Sequence, residues 1–165
     1  FMVPTNPTRT RMPIPQAIPT VLPIIQRMAL TIRIIRALTT RVPRNKAVQH
    51  ERQISDYVLA GGVAAAVLSK SGKIYTGVCI DTCSTLGICA ERNAIFNMIT
   101  NGEQEIDKVL CILPDGSGGA PCGACRELMV QLMPNGKYKD IEIMMDYATG
   151  RVVRLGDITP EWWIS

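Results

Sequence analysis

What this sequence lacks narrows it first. No apolar run is long enough to cross a bilayer: the longest, such as residues 63–68, falls far short of the roughly 20 residues a spanning helix needs. Nor does an apolar stretch of about 7 to 15 residues precede a small-residue cleavage site, so a secretory leader is not expected. The six cysteines are therefore expected in a reducing compartment, the cytoplasm, where clustered thiols more often bind metal or do chemistry than cross-link. Acidic residues are missing altogether from residues 1–50, which hold eight Lys or Arg, and serine is missing there too. Residues 51–165 carry ten basic and fourteen acidic residues, so the overall charge of +4 averages two unlike segments.

Proline divides the chain at the same place, with seven of eleven in the first 43 residues. At roughly 100 to 200 residues per domain, 165 residues make one domain and little more. With 47% apolar and 19% charged residues the chain is neither a highly charged disordered polymer nor a membrane protein. The expected division is a basic Pro/Arg-rich extension, 1–50, and a globular domain, 51–165, large enough for one core burying about 65% of its unfolded surface.

Residues 1–23 read as extended, since their apolar residues follow no helical or strand period. Their composition leaves open an organellar targeting segment, against which the absent serine counts, or an appended stretch. Across 24–41, Ile24, Ile25, Met28, Ile32, Ile35 and Leu38 recur at spacings of three and four among arginines, the pattern of an amphipathic helix. A second short helix is expected over 45–54, after Pro43.

Beyond Gly62 two β-rich runs flank Ser71-Gly72 and predict a hairpin. Helices are predicted over 88–100, ended by Asn101-Gly102, and over 122–132, ended by Pro134-Asn135-Gly136. Strands are predicted over 106–113, 141–145 and 151–155. The order β β α β α β β describes a layered α/β domain with a hairpin start.

Two stretches carry chemistry: Cys89-Ala90-Glu91-Arg92 and Pro121-Cys122-Gly123-Ala124-Cys125-Arg126, each opening a helix. Cys122-x-x-Cys125 alone fits a dithiol redox pair, half of a zinc ribbon, or two buried thiols. At a helix start both sulfurs reach one point, and the helix dipole with its free N–H groups favours thiolate. Cys89, from a second helix start, adds a third side of a tetrahedron and leaves the fourth open to water, the pattern of a catalytic rather than a structural zinc. Glu91, two residues beyond a ligand, is placed to move protons between that water, whose pKa zinc brings to about 7, and a substrate. Such a carboxylate adds on the order of 10² to 10⁴ in rate.

These motifs, together with Ser71-Gly-Lys-Ile-Tyr-Thr-Gly77, resemble the cytidine deaminase and blasticidin S deaminase family over about residues 57–163. The resemblance implies a three-layer α/β/α sandwich around a mixed five-stranded sheet. It implies one Zn2+ per chain on Cys89, Cys122 and Cys125, with Glu91 as the proton shuttle and Arg92 offsetting the charge of three thiolates. The backbone of Ala90 would read the pyrimidine edge. Where cytidine deaminases carry an Asn-x-Glu for the ribose, this chain has Cys79 and Asp81, and the family's stacking aromatic falls near Gly61. Trp162 and Trp163, near the C-terminus, are the candidates to supply that stacking ring, as a C-terminal aromatic does in the blasticidin-type relatives.

The implied activity is hydrolytic release of ammonia from a cytosine-type nucleoside, as in pyrimidine salvage, with a small-molecule substrate, a homotetramer or dimer, and no nucleic-acid or membrane partner. Other readings remain: a blasticidin S-type or other aminated-heterocycle deaminase, a silent zinc module whose basic arm holds nucleic acid, or a dithiol oxidoreductase. Cys111 reads as a buried small hydrophobe in its strand, Cys83 as a loop thiol, and the single histidine, His50, has no matching role. Glu103, Glu105 and Asp107 read as a solvated acidic turn.

Overall fold

A computed structural model describes residues 51–146 and 149–163. The helix expected over 24–41, His50, and the first residues of the one expected over 45–54 lie outside the described residues. From Arg52 onward that second expectation fails. Arg52–Ser55 is a strand, β1, turning at Asp56-Tyr57 into the twelve-residue β2, Val58–Ser69, with Arg52 opposite Ala60. All four β1 residues are exposed, so no apolar period marks the strand, and pairing with β2 overrides the helical pattern.

β2 is the hub of the sheet. One edge pairs antiparallel with β3, Ile74–Thr82, from Val58 opposite Thr82 to Leu68 opposite Ile74. The other edge takes β1 first and then, from Ala64 opposite Ile112, the antiparallel β4, Ile106–Ile112. β5, Glu142–Asp146, runs parallel to β4, and β6, Arg151–Arg154, closes the sheet antiparallel to β5. The sheet is mixed and has six strands, one more than expected, β1 being the addition.

Because β3 and β4 both oppose β2, they run the same way and end at the same margin of the sheet. Each then leads into a helix: β3 into α1, Ala90–Thr100, and β4 into α2, Gly123–Leu132. Carboxyl ends of parallel strands are where open α/β sheets place ligands. α1 buries Ala94, Ile95 and Met98, and α2 buries Met129 and Val130, against Val67, Val109 and Ile143 of the sheet. Each fully buried aliphatic side chain contributes about 1.5 to 3 kcal/mol. A 3-10 turn, Lys137–Asp140, and a short helix α3, Leu155–Ile158, complete the described residues; Leu155, expected in a strand, is instead a fully buried helix start.

The height of α1 on β3 is fixed by contact, not by apolar packing alone. A Cβ on Gly77 would lie 2.4 Å from the Ala94 nitrogen and 2.7 Å from the Ala90 carbonyl oxygen, so only glycine lets the strand pass under the helix. The side-chain amides of Asn93 and Asn97 donate to the β3 carbonyls of Val78 and Thr76, at 2.9 and 3.2 Å. α1 begins at Ala90, not Ile88, because Ile88 still exchanges backbone hydrogen bonds of 2.8 and 2.9 Å with Ile80. Gly102, at φ +83°, ends α1 in the left-handed conformation.

Candidate metal centre and active site

Both helix starts meet at that margin. Cys89 caps α1 and Cys122 caps α2, each in an extended conformation, and Cys125 lies one turn into α2. The Cys89 and Cys122 sulfurs are 3.5 Å apart, those of Cys122 and Cys125 are 3.4 Å apart, and all three lie within 4.8 Å of one another. Zinc–sulfur bonds of about 2.3 Å in a tetrahedron put sulfurs about 3.8 Å apart, so this donor set fits a single ion with one position left open. All six cysteines are free, and among the described residues this trio is the group able to hold a metal. Cys83, exposed in the loop before Cys89, stands outside it.

The electrostatics of the trio are uneven. Burial pushes the Cys122 thiol up, but the backbone N–H groups of Cys125 and Ala124 and the neighbouring thiols of Cys125 and Cys89 outweigh it and bring it below its ordinary value. Cys125, completely buried, is pushed up by burial first and then by the Glu91 and Cys122 charges. A bound cation would draw off the protons that the thiols carry without it. The Arg92 guanidinium reaches the Cys89 sulfur at 3.8 Å. That bond holds it above its ordinary value, burial opposing and the charges of Cys89, Cys125 and Cys122 assisting. Its Nε is buried without a partner among the described residues.

Glu91, in the first turn of α1, is 5% exposed, and among the described residues it and Ser69 are the buried polar ones beside an apolar core. Ala90 before it is fully buried. Cys111, on the face of β4 that looks toward α1, is also buried, and its thiol is pushed up to about 12 by burial and by the adjacent Glu91 carboxylate.

Cys79 and Asp81 lie near the end of β3. The register between β2 and β3 slips at 61–63, where Gly61 takes φ +98° and two extra residues bulge out of β2. The bulge frees the Val63 N–H, and the Cys79 sulfur accepts it at 3.1 Å; Asp81 Oδ2 lies 3.9 Å from the same sulfur. Cys79 thus supports the bulged backbone of β2 at Val63.

Trp162 and Trp163 do not stand free. Their indole N–H groups donate to the two oxygens of Glu127 on α2, at 2.9 and 2.8 Å, and the rings meet edge to face with centroids 5.9 Å apart. Arg126 donates to the Ile158 carbonyl at 2.7 Å, tying the same tail to the same helix. Trp162 packs on the core while Trp163 is 74% exposed. Glu103, Glu105 and Asp107, read as a solvated turn, each pair with a lysine: Lys73, Lys137 and Lys70. Sequence reasoning missed Asn93, Asn97 and Glu127, and quoted Gly77 as part of a motif without its role under α1. The amides three and seven residues into the motif helix are polar groups on one helical face, a signal that could have pointed to a partner strand.

Residues 45–137, more than half of the chain, match the family model of the cytidine and deoxycytidylate deaminase zinc-binding region. A cytidine deaminase of Halalkalibacterium halodurans is 36% identical over 73 residues, covering 44% of this chain and 55% of that protein. The chain thus spans little more than half the length of that relative. One from Mycobacterium tuberculosis is 29% identical over 100 residues, 60% of this chain and 70% of the relative. A Bacillus cereus blasticidin-S deaminase is 30% identical over 82 residues, 44% and 59%. The crystal structure of the M. tuberculosis cytidine deaminase superposes with a TM-score of 0.55 at 28% identity, covering 71% of this chain and 88% of that one. With its three-cysteine cluster at the paired helix starts, the chain belongs to the zinc-binding family of cytidine and deoxycytidylate deaminases.

Proposed function

We propose that this protein hydrolytically deaminates a cytosine-type nucleoside, cytidine, deoxycytidine or an analogue, to the uracil form and ammonia. The observation that carries this reading is the buried Glu91 carboxyl two residues beyond Cys89, at the margin where the three sulfurs converge. Cys89, Cys122 and Cys125 would hold the zinc ion, which when bound would make a water acidic enough to act as a nucleophile at neutral pH.

The chain's own residues do the rest. Glu91 would take one proton from the attacking water and give it to the ring nitrogen, then take the proton of the hydroxyl newly added to the ring carbon and give it to the amine, which leaves as ammonia as the C–N bond breaks. Its burial keeps bulk water from competing for that proton. Arg92, on the Cys89 sulfur, offsets the charge of the thiolates and steadies that ligand. The buried backbone at Ala90 lines the floor on which the base edge would rest. Asp81 is the carboxylate left for a sugar hydroxyl, and Trp163 offers an exposed ring for stacking.

The engagement of Cys79 with the Val63 N–H favours a second reading, a deaminase of another aminated heterocycle, since the group at the ribose position serves the fold. Ammonia release from cytidine, deoxycytidine, blasticidin S and free aminated heterocycles, measured side by side on zinc-loaded protein, separates the two. One equivalent of zinc retained in Glu91→Ala with turnover abolished supports the mechanism, and undiminished turnover in that variant overturns it.

A further inference from the structure

Two glycines sit in the β2 bulge, and only one is there for the backbone. Gly61 takes φ +98°, a conformation that side chains rarely adopt. Gly62 lies outside that region, and beyond its chain neighbours a Cβ on it would meet nothing closer than 3.5 Å, an ordinary van der Waals contact. A glycine that neither conformation nor close packing requires costs stability, because it adds freedom to the unfolded chain. What its bare backbone leaves is space.

Two side chains wall that space. The atom nearest a Gly62 Cβ is Oε1 of Glu51, at 3.5 Å, and the next is the Cys79 sulfur, at 3.8 Å. Glu51 stands just before β1, and Cys79 is on β3, its sulfur already accepting the Val63 N–H. Asp81 Oδ2 lies 3.9 Å from the same sulfur.

The space adjoins the three-sulfur cluster. Gly77 lies under Ala90 and Ala94, while Asn93 and Asn97 bond to Val78 and Thr76, so α1 runs antiparallel to β3. Cys79, two residues beyond Gly77 on the same face, is therefore about 7 Å nearer the margin, beside the first turn of α1 where Cys89 and Glu91 stand.

We propose that Glu51 is a specificity-determining residue: with the bare Gly62 it forms a pocket beside the cluster for a cationic substituent, a primary ammonium or a guanidinium, on the aminated ring. The inference rests on the deaminase reading and gives it a substrate class. An ionised carboxylate only accepts hydrogen bonds, so the group it meets must donate, and a second carboxylate at Asp81 favours a donor that carries positive charge. The thiol between them is spent on Val63 and gives a neutral sugar no amide.

Matched probes test this. On zinc-loaded protein, cytosine bearing an aminoethyl group on its ring nitrogen is expected to exceed the hydroxyethyl counterpart roughly three- to tenfold in kcat/KM, the excess shrinking in high salt because Glu51 is exposed. Glu51→Gln, which keeps the shape, should remove the excess. Gly62→Ala should melt at or above the wild type, yet lose more with both substituted cytosines than with cytosine itself. Equal kcat/KM for the two probes in the wild type, or an excess that survives Glu51→Gln, overturns the proposal, and so does a Gly62→Ala variant that treats all three substrates alike.

Binding gives a readout without turnover. By calorimetry the wild type should hold aminoethyluracil roughly three- to tenfold more tightly than hydroxyethyluracil, and Glu51→Gln should hold the two alike. Equal affinities in the wild type overturn the pocket. If zinc-loaded wild type releases no ammonia from any aminated heterocycle, the deaminase reading falls, while the binding pair still decides what Glu51 recognises.

Discussion

Gly77 and Ala94 come closer than any side chain between them would allow, with a Cβ on the glycine only 2.4 Å from the Ala94 nitrogen. The contact sets the height of α1 on β3, and with it the positions of Cys89 and Glu91. Gly77→Ala is expected to lower the unfolding free energy by about 2 kcal/mol or more, read as a shift in urea midpoint at constant slope. Because the displaced helix carries one ligand, zinc affinity should fall in the same variant. Unchanged affinity would mean that the cluster is positioned from α2 alone.

Arg92 tests the electrostatics of the trio. Three thiolates on one divalent ion would leave a net negative charge, and the Arg92 guanidinium, 3.8 Å from the Cys89 sulfur, is placed to offset it. Arg92→Gln should weaken zinc binding by about 10- to 100-fold, measured by competition with a chromophoric chelator, with little change in melting temperature at saturating zinc. Arg92→Lys should restore part of the loss, since a point charge replaces the fork but not its geometry.

The parts of this site that the sequence made legible are the local ones. Cys89-Ala-Glu and Cys122-x-x-Cys125 are read within one helical turn, and a helix start imposes the same directions wherever it occurs. What escaped depends on strand pairing and on partners further along the chain. β1 carries no buried residue, and only its pairing with β2 reveals it. Cys79 was legible as a thiol where the family resemblance implied an amide, but its use by the Val63 N–H follows from a bulge that slips the β2–β3 register by two residues. The Trp pair was legible as a C-terminal aromatic candidate for stacking; Glu127, some 35 residues away, decides how it is held.

That clamp is separable from the metal centre. Glu127 spends both oxygens on indole N–H groups, and its carboxyl is held below the usual range by Gln131 first and then by Trp163 and Trp162. Glu127→Ala should release both rings, shifting tryptophan emission to the red and increasing quenching by iodide, while zinc stoichiometry stays at one. If Trp163 stacks on the substrate, KM should rise in this variant with kcat nearly preserved. An unchanged KM would remove the tail from substrate binding.

Glu103 supplies the pH dependence. It follows α1 and accepts both the Ser71 hydroxyl, at 2.9 and 2.8 Å, and the Lys73 ammonium, at 2.9 Å. The Ser69 hydroxyl, Lys73 and Ser71 hold its carboxyl down from an ordinary value near 4.5 to about 2. A depressed acid binds fewer protons folded than unfolded, so its contribution is complete above about pH 4.5 and is lost as pH falls toward 2. The wild type should therefore lose stability steadily over that window, with a shallower slope in Glu103→Gln, which cannot titrate. Urea midpoints at pH 7, 4 and 2.5 check this, and parallel curves for the two proteins would show that other carboxylates dominate the acid transition. High salt should narrow the gap between them at pH 7, because the Lys73 partner is 67% exposed and screened accordingly.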